Sequence, residues 1–165
     1  KSQGIDTKGS MIEADLLETA DGIIRAAEEK GVELLLPKDL VCAETFEADA
    51  LSKAVPVSDI PDQWMALDIG PETAALYANA LSGAGTIVWN GPMGVFEMDA
   101  FMSGTQVVAD AIAGSGAFSI VGGGDTGLAA KKCQVADQVS YISTGGGAFL
   151  HLMEGRQLPG VTALG

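Results

Sequence analysis

One stretch constrains this chain more than any other: Val121-Gly122-Gly123-Gly124-Asp125-Thr126-Gly127. The apolar run Phe118-Ser119-Ile120-Val121 leads into it, and the helix-compatible run Leu128-Ala129-Ala130-Lys131-Lys132 leads out. That pattern reads as a strand, a glycine turn and a helix start. Glycines let the backbone take positive φ and let a ligand approach it closely. A helix N-terminus offers unpaired N–H groups and partial positive charge, which favour phosphate. Asp125 is the unusual member. A carboxylate beside a phosphate cradle repels the phosphate unless a cation sits between them, so the stretch points to a metal-bound nucleotide.

The same unit recurs along the chain. Ser10 and Glu13 form a capping box for an amphipathic helix over residues 11–30, with Ile12, Leu16, Ala20, Ile23, Ile24 and Ala27 at helical spacing and Gly31 as its stop. Val32–Leu36 reads as a strand ended by Pro37, and Leu40–Ala43 as a second short apolar run. Residues 44–62, polar and carrying Pro56 and Pro61, read as an irregular loop. Trp64–Ile69 is a strand, and Pro71 sits well in the first turn of a helix running to about Leu81. Thr86–Trp89 is the next strand, followed by the loop Asn90–Glu97 and a helix over 103–113. After the glycine stretch come a strand at Val139–Ile142 and a final helix, Ala148–Glu154.

Strands alternating with helices, several of the strands almost wholly apolar, predict an α/β fold: a three-layer, doubly wound, Rossmann-like and mostly parallel sheet. Ligands in such sheets sit beyond the carboxyl ends of the strands. The loops Asn90–Glu97, Gly122–Thr126 and Ser143–Gly147 are therefore expected on one rim.

The 165 residues suit one domain, and 47% hydrophobic with 19% charged residues supports a sizeable core. Net charge is −13 with nine Lys plus Arg, so no basic face is available for nucleic acid or an anionic membrane. Phosphate held by backbone N–H groups and Mg²⁺ needs no such face. Cys42 and Cys133 lack paired spacing and read as reduced, packed thiols. No apolar run approaches a membrane span or a signal peptide, which predicts a cytoplasmic protein, with an organelle stroma as the other setting. Lys1-Ser2-Gln3-Gly4 reads as the middle of a longer sequence.

Taken singly, the candidate residues are ambiguous. Gly122, Gly124 and Gly127 satisfy the dinucleotide spacing, but no acid follows near Ser143-Thr144-Gly145, as that fingerprint requires. Gly4–Ser10 misses a P-loop because Lys8 and Gly9 stand in the wrong order and no strand precedes them. Asp125 is either a helix cap or a ligand. Glu97 is either a loop carboxylate or a contact, and Asn90 either a turn residue or a contact. Met65, Leu67 and Phe96 are either core or the wall of a ring pocket. His151 has no Ser or Cys partner signature, so a triad or a Cys/His zinc site has no support.

Together these residues carry a signature. Trp89-Asn90-Gly91-Pro92-Met93-Gly94-Val95-Phe96-Glu97, Gly122-Gly123-Gly124-Asp125-Thr126 and Ser143-Thr144-Gly145-Gly146-Gly147-Ala148 closely resemble phosphoglycerate kinase, as do Trp64–Glu72 and Leu158-Pro159-Gly160-Val161. The resemblance covers essentially the whole chain. It implies the larger part of that family's C-terminal nucleotide-binding domain over residues 1–165, with the N-terminal domain and the first part of the C-terminal domain absent. It implies reversible phosphoryl transfer between 1,3-bisphosphoglycerate and ADP, giving 3-phosphoglycerate and ATP, with Mg²⁺ as cofactor. On this likeness the segment around Ala66 and Leu67, with Gly91, Pro92, Val95 and Phe96, lines the adenosine pocket, Asn90 and Gly94 are further nucleotide-binding residues, and Glu97 meets the ribose. Asp125 meets Mg²⁺, and Gly123, Gly124 and Thr126 meet the phosphates. The helix start at Gly146 faces the transferred group, with Gly123, Gly124 and Gly146 as the catalytic positions.

Ala66 stands where the family usually has glycine. The family's lysine-bearing glycine loop, its next glycine-rich strand end and the triose domain with its arginine cluster are missing. The expectation is Mg-nucleotide binding at best, negligible turnover alone, and self-association through uncovered apolar sheet, although the family is usually monomeric. The alternative is a non-catalytic nucleotide-binding module. An oxidoreductase is disfavoured by the missing acid.

Overall fold

The computed structural model describes residues 1–143 and 145–163. They form two compact units. The first takes Lys1–Tyr77 and Gly94–Gly104; the second takes Ala78–Met93 and the chain from Thr105 on.

The first unit opens with a 3₁₀ turn, Ala14–Leu16, and helix α1, Leu17–Lys30. Gly31 ends α1 in the left-handed region at φ 64°, and the Val32 N–H closes back on the Ala27 carbonyl at 2.9 Å. The capping box does not form. The Ser10 hydroxyl instead accepts the Ala66 N–H at 3.0 Å, so the helix starts later than residue 11 and without a side-chain cap. Strands β1 (Asp39–Ala43), β2 (Ser52–Pro56) and β3 (Met65–Ile69) make an antiparallel sheet in the order β2-β1-β3. A register irregularity falls at Val41/Cys42 in the β1–β3 ladder.

Two expectations fail here. Val32–Leu36 is not a strand. No described strand pairs with it, and Val32, Leu34 and Leu36 are exposed, so apolar composition alone does not make a ladder. The stretch read as a loop contains β2, a mostly exposed edge strand whose only buried residue is Val55. Its pairing with β1 supplies what its polar sequence hides.

The core of this unit joins Cys42, Val55 and Ile60 with Leu40, Trp64 and Ala66, and, in a second cluster, Ala43, Leu67 and Phe101 with Val95 and Met98. No residue of α1 is buried. Ala20, Ile23 and Ile24 line an open apolar groove with Leu34, Leu36 and Leu40.

Helix α2, Pro71–Leu81, follows β3. Its N-terminus is capped from β1. The Asp39 carboxylate accepts the Glu72 N–H at 3.0 Å, the Thr73 N–H at 2.8 Å and the Thr73 hydroxyl at 2.6 Å. Burial works to raise the Asp39 carboxyl, but these donors outweigh it and hold the group below the usual carboxylate range. A Cβ on Gly70 would strike that carboxylate, which explains the glycine before Pro71.

The second unit is the parallel part of the α/β fold. Strands β4 (Thr86–Asn90), β5 (Phe118–Gly122) and β6 (Tyr141–Ser143) lie parallel in the order β4-β5-β6. Helices α3 (Ser103–Gly114), α4 (Gly124–Lys132), α5 (Gly146–Met153) and α6 (Pro159–Thr162) follow, and a 3₁₀ turn, Asp99–Phe101, lies in the returning segment of the first unit. Strand β6 starts two residues later than expected, and α5 starts two residues earlier. Ile87, Trp89, Ser119 and Val121 are buried, whereas Val88, Phe118 and Tyr141 are exposed. The sheet thus keeps one apolar face largely uncovered, as in an incomplete doubly wound domain.

Candidate functional site

Parallel pairing in register, with Asn90 opposite Gly122 and Gly122 opposite Ser143, sets the ends of β4, β5 and β6 on one rim. The Asn90–Glu97 loop is divided: Asn90–Met93 belongs to the rim of the second unit, and Gly94–Glu97 to the first unit.

On the rim, Gly122 ends β5 and Gly123 takes φ 93°, ψ 151°, a conformation that side-chain-bearing residues rarely adopt. Helix α4 begins at Gly124, and its first intrahelical bond runs from the Gly127 N–H to the Gly123 carbonyl at 3.1 Å. The N–H groups of Gly124, Asp125 and Thr126 precede that bond. They are the donors a helix start leaves without an intrahelical acceptor.

Asp125 stands in this first turn with its side chain exposed. Gly123 holds the N-cap position, so Asp125 is not the cap. Among the described residues its carboxylate has no hydrogen-bond or ion-pair partner. Thr126 is different. It is 2% exposed, and its hydroxyl accepts the Gly91 N–H at 2.7 Å. Its side chain braces the β4 loop, and its backbone N–H is one of the first-turn donors of α4.

Gly91, at φ 105°, is held from a second side, since the Trp89 indole N–H donates to its carbonyl at 2.8 Å. The Met93 N–H donates to the Thr105 hydroxyl at 3.0 Å. Asn90 is exposed, and its Oδ1 lies about the glycine turn, 3.3 Å from where a Cβ on Gly123 would stand. Pro92 is half-buried beside it.

Gly146 begins α5, with Gly145 at the N-cap, and the Phe149 N–H makes the first bond to the Gly145 carbonyl at 2.9 Å. A second helix start therefore opens on the rim. The Phe149 ring lies over Gly122, where a Cβ would collide with it. Thr144, within the expected motif, lies outside the described residues.

In the first unit, Ala66 and Leu67 lie on β3 with Gly94, Val95, Phe96 and Glu97 in the returning segment. The Val95 N–H donates to the Leu67 carbonyl at 2.8 Å. Leu67 and Phe96 are buried, Ala66, Gly94 and Val95 are half-buried, and Glu97 is exposed. Leu67 and Phe96 thus lie inside the unit, while Ala66 and Val95 retain partly open surfaces. Met65 is half-buried against the cluster formed by Ala43, Leu67 and Phe101.

Sequence reasoning missed Asp68 in this group. Asp68 is 3% exposed and accepts the Ile69 N–H at 2.9 Å and the Gly104 N–H at 2.8 Å. Burial pushes its carboxyl up to about 6 against the pull of these donors. A carboxylate inside an apolar strand run was the available signal. Both cysteines are buried, and burial pushes their thiols up, as for packed rather than reactive thiols. His151 is exposed on α5.

The donor set fits Mg²⁺ held together with a phosphate chain. Such ions take one or two carboxylates, with phosphate oxygens and water completing the shell. Asp125 is one open carboxylate beside unpaired N–H donors. Among the described residues there is no cluster of three metal-ligating side chains, so those residues alone offer no closed metal cage.

A family model described as phosphoglycerate kinase matches residues 1–156. A phosphoglycerate kinase of Desulforapulum autotrophicum is 62% identical over 164 residues, which are 99% of this chain and 42% of the relative. A cytosolic phosphoglycerate kinase of Triticum aestivum is 51% identical over 167 residues, again covering 42% of the relative. The solved structure of phosphoglycerate kinase from Coxiella burnetii superposes with a TM-score of 0.94 at 44% identity, covering 98% of this chain and 42% of that one. The chain thus spans about two-fifths of the length of the relatives it matches.

Proposed function

The chain belongs to the phosphoglycerate kinase family, and from that premise we propose that it is the larger part of the C-terminal nucleotide-binding domain of such a kinase. The whole protein would transfer a phosphoryl group reversibly between 1,3-bisphosphoglycerate and ADP. This chain would supply the Mg-nucleotide side, and 3-phosphoglycerate would bind through the part of the family's chain that lies outside it. A cytoplasmic setting accords with the cytosolic wheat relative, and no helix among the described residues is long and apolar enough to cross a membrane.

The observation that carries the reading is Asp125, an exposed carboxylate without a partner among the described residues, in the first turn of a helix that begins on glycine. A carboxylate there repels phosphate unless a cation bridges them. Mg²⁺, when bound, would neutralise the phosphate charge as the phosphoryl group moves. The chain's own part is positioning: the amides of Gly123, Gly124 and Thr126 would hold the phosphates, and the helix start at Gly146 would face the transferred group. Phosphoryl transfer depends on positioning and charge stabilisation more than on covalent chemistry. In the first unit, Ala66, Leu67 and the Gly94–Glu97 segment would take the adenosine. In the second unit, Asn90, Gly91 and Pro92 would also be nucleotide-binding residues.

Calorimetric titration with ADP and ATP, with and without Mg²⁺, tests this on the chain and on Asp125→Ala. The expected result is binding that Mg²⁺ strengthens in the wild-type chain but not in the variant. Metal-dependent binding left intact by the substitution would refute the role given to Asp125.

A further inference from the structure

Asp68 lies on β3, immediately after Ala66 and Leu67. Its two oxygens serve different stretches: Oδ1 takes the N–H of the next residue, Ile69, and Oδ2 takes the N–H of Gly104. A Cβ on Gly94 or on Gly104 would run into the same carboxyl group. The returning segment therefore begins and ends against one buried side chain. Between those ends, the Val95 N–H is bonded to Leu67, Phe101 is fully buried, and the Met98 and Phe101 N–H groups close successive turns on the Val95 and Met98 carbonyls at 3.0 and 2.9 Å.

A carboxylate suits this position because it offers two acceptors on a rigid fork. An apolar residue would orphan the buried Gly104 N–H. An asparagine of the same shape would set a donor against one of the two N–H groups. Burial pushes the carboxyl upward, so the group is kept at an energetic cost.

We propose that Asp68 is the positioning residue that fixes the Gly94–Glu97 segment against Ala66 and Leu67, setting the surface that receives the nucleotide's adenosine. The proposal rests on the nucleotide reading above and adds to it a residue that touches no ligand.

The test compares the wild-type chain, Asp68→Asn and Asp125→Ala by amide hydrogen exchange and by ADP titration. In Asp68→Asn, protection at Val95 and Gly104 should fall by about tenfold or more, as expected for loss of a charge-assisted hydrogen bond. Protection at Val41 and Lys53 on β1 and β2 should hold. ADP affinity should fall by a similar factor, while the ratio of affinities with and without Mg²⁺ stays at the wild-type value; Asp125→Ala should change that ratio instead. Uniform loss of protection across β1, β2 and the segment would overturn the proposal. So would unchanged exchange at Gly104, or local opening with ADP affinity intact. A wild-type chain that binds no ADP would sink the nucleotide reading, and exchange at Gly104 would still decide whether Asp68 holds the segment. If Asp68→Asn does not fold, the wild-type chain decides. Burial raises this carboxyl and the N–H groups of Gly104 and Ile69 lower it. The Gly104 amide proton should shift together with the Asp68 carboxyl resonance as that group titrates, and a Gly104 resonance that ignores the titration would overturn the proposal.

Discussion

The hydroxyl of Thr126 receives the amide N–H of Gly91 at 2.7 Å, joining the first turn of α4 to the loop that follows β4. A residue named for phosphate contact thus spends its side chain on the loop beside the phosphate cradle. Thr126→Val keeps the shape and removes the acceptor, leaving the half-buried Gly91 N–H without that partner. It should lower stability by about 1–3 kcal/mol, and Thr126→Ser by about 1 kcal/mol or less. Urea unfolding of the two variants checks this. Equal losses would show that the methyl, not the hydroxyl, matters.

Asp39 gives a second expectation. Its folded carboxyl lies below the range of an unfolded aspartate, about 3.9. The stabilisation is therefore present above that value and is lost as pH falls through the depressed folded pKa. Asp39→Ala should cost about 2 kcal/mol near neutral pH, from the lost cap and its hydrogen bonds. It should cost less in strong acid. A loss independent of pH in chemical denaturation would contradict the capping account.

Asp68 has the opposite sign. Its folded carboxyl is raised to about 6, so its favourable contribution is fully present below about pH 3.9, where the unfolded group is also protonated, and is lost as pH rises through 6. The change is about 3 kcal/mol. Wild-type stability should slope downward between about pH 4 and 6, and Asp68→Asn should flatten that slope while lowering stability overall. A variant that kept the slope would assign it to another group.

The chain alone should show negligible turnover in a coupled kinase assay, and activity should return when the remaining part of a related kinase is supplied in trans. Normal turnover by the isolated chain would refute this, and a failure of trans-addition to restore activity would favour the non-catalytic module.

Exposed Ile23, Val32 and Leu34 in one unit, and Val88, Phe118 and Tyr141 in the other, should drive association. Light scattering should show species larger than a monomer, and Ile23→Glu or Tyr141→Lys should shift them downward. A clean monomer at high concentration would count against it.

The legible parts of the fold were those written in local sequence. The apolar run at Met65–Ile69, Pro71 in its helix turn and the stop at Gly31 each act on their own neighbours. The glycine turn at Gly122–Gly124 was legible for the same reason. What was not legible depended on distant partners. Val32–Leu36 has strand-like composition but no strand to pair with among the described residues, and β2 has little apolar character but gains a ladder from β1. Ser10 looked like a local cap until Ala66 claimed its hydroxyl. Asp39 caps a helix more than thirty residues downstream, and Asp68 meets an amide thirty-six residues away. Of the candidate site, residue types and order were legible. The division of Asn90–Glu97 between two units and the brace formed by Thr126 were not.

The first unit is discontinuous in the chain: it closes only when Gly94–Gly104 joins Lys1–Tyr77. During synthesis the ribosome must therefore deliver β4 and the Asn90–Met93 loop before Phe101 can fill the cluster around Ala43 and Leu67. Until then, a nascent chain ending near Tyr77 leaves the Asp68 carboxyl without the Gly104 amide and the cluster of Ala43 and Leu67 without Phe101. Cotranslational folding of this unit cannot finish in sequence order, and emergence of Gly104 from the exit tunnel is the event that lets it close.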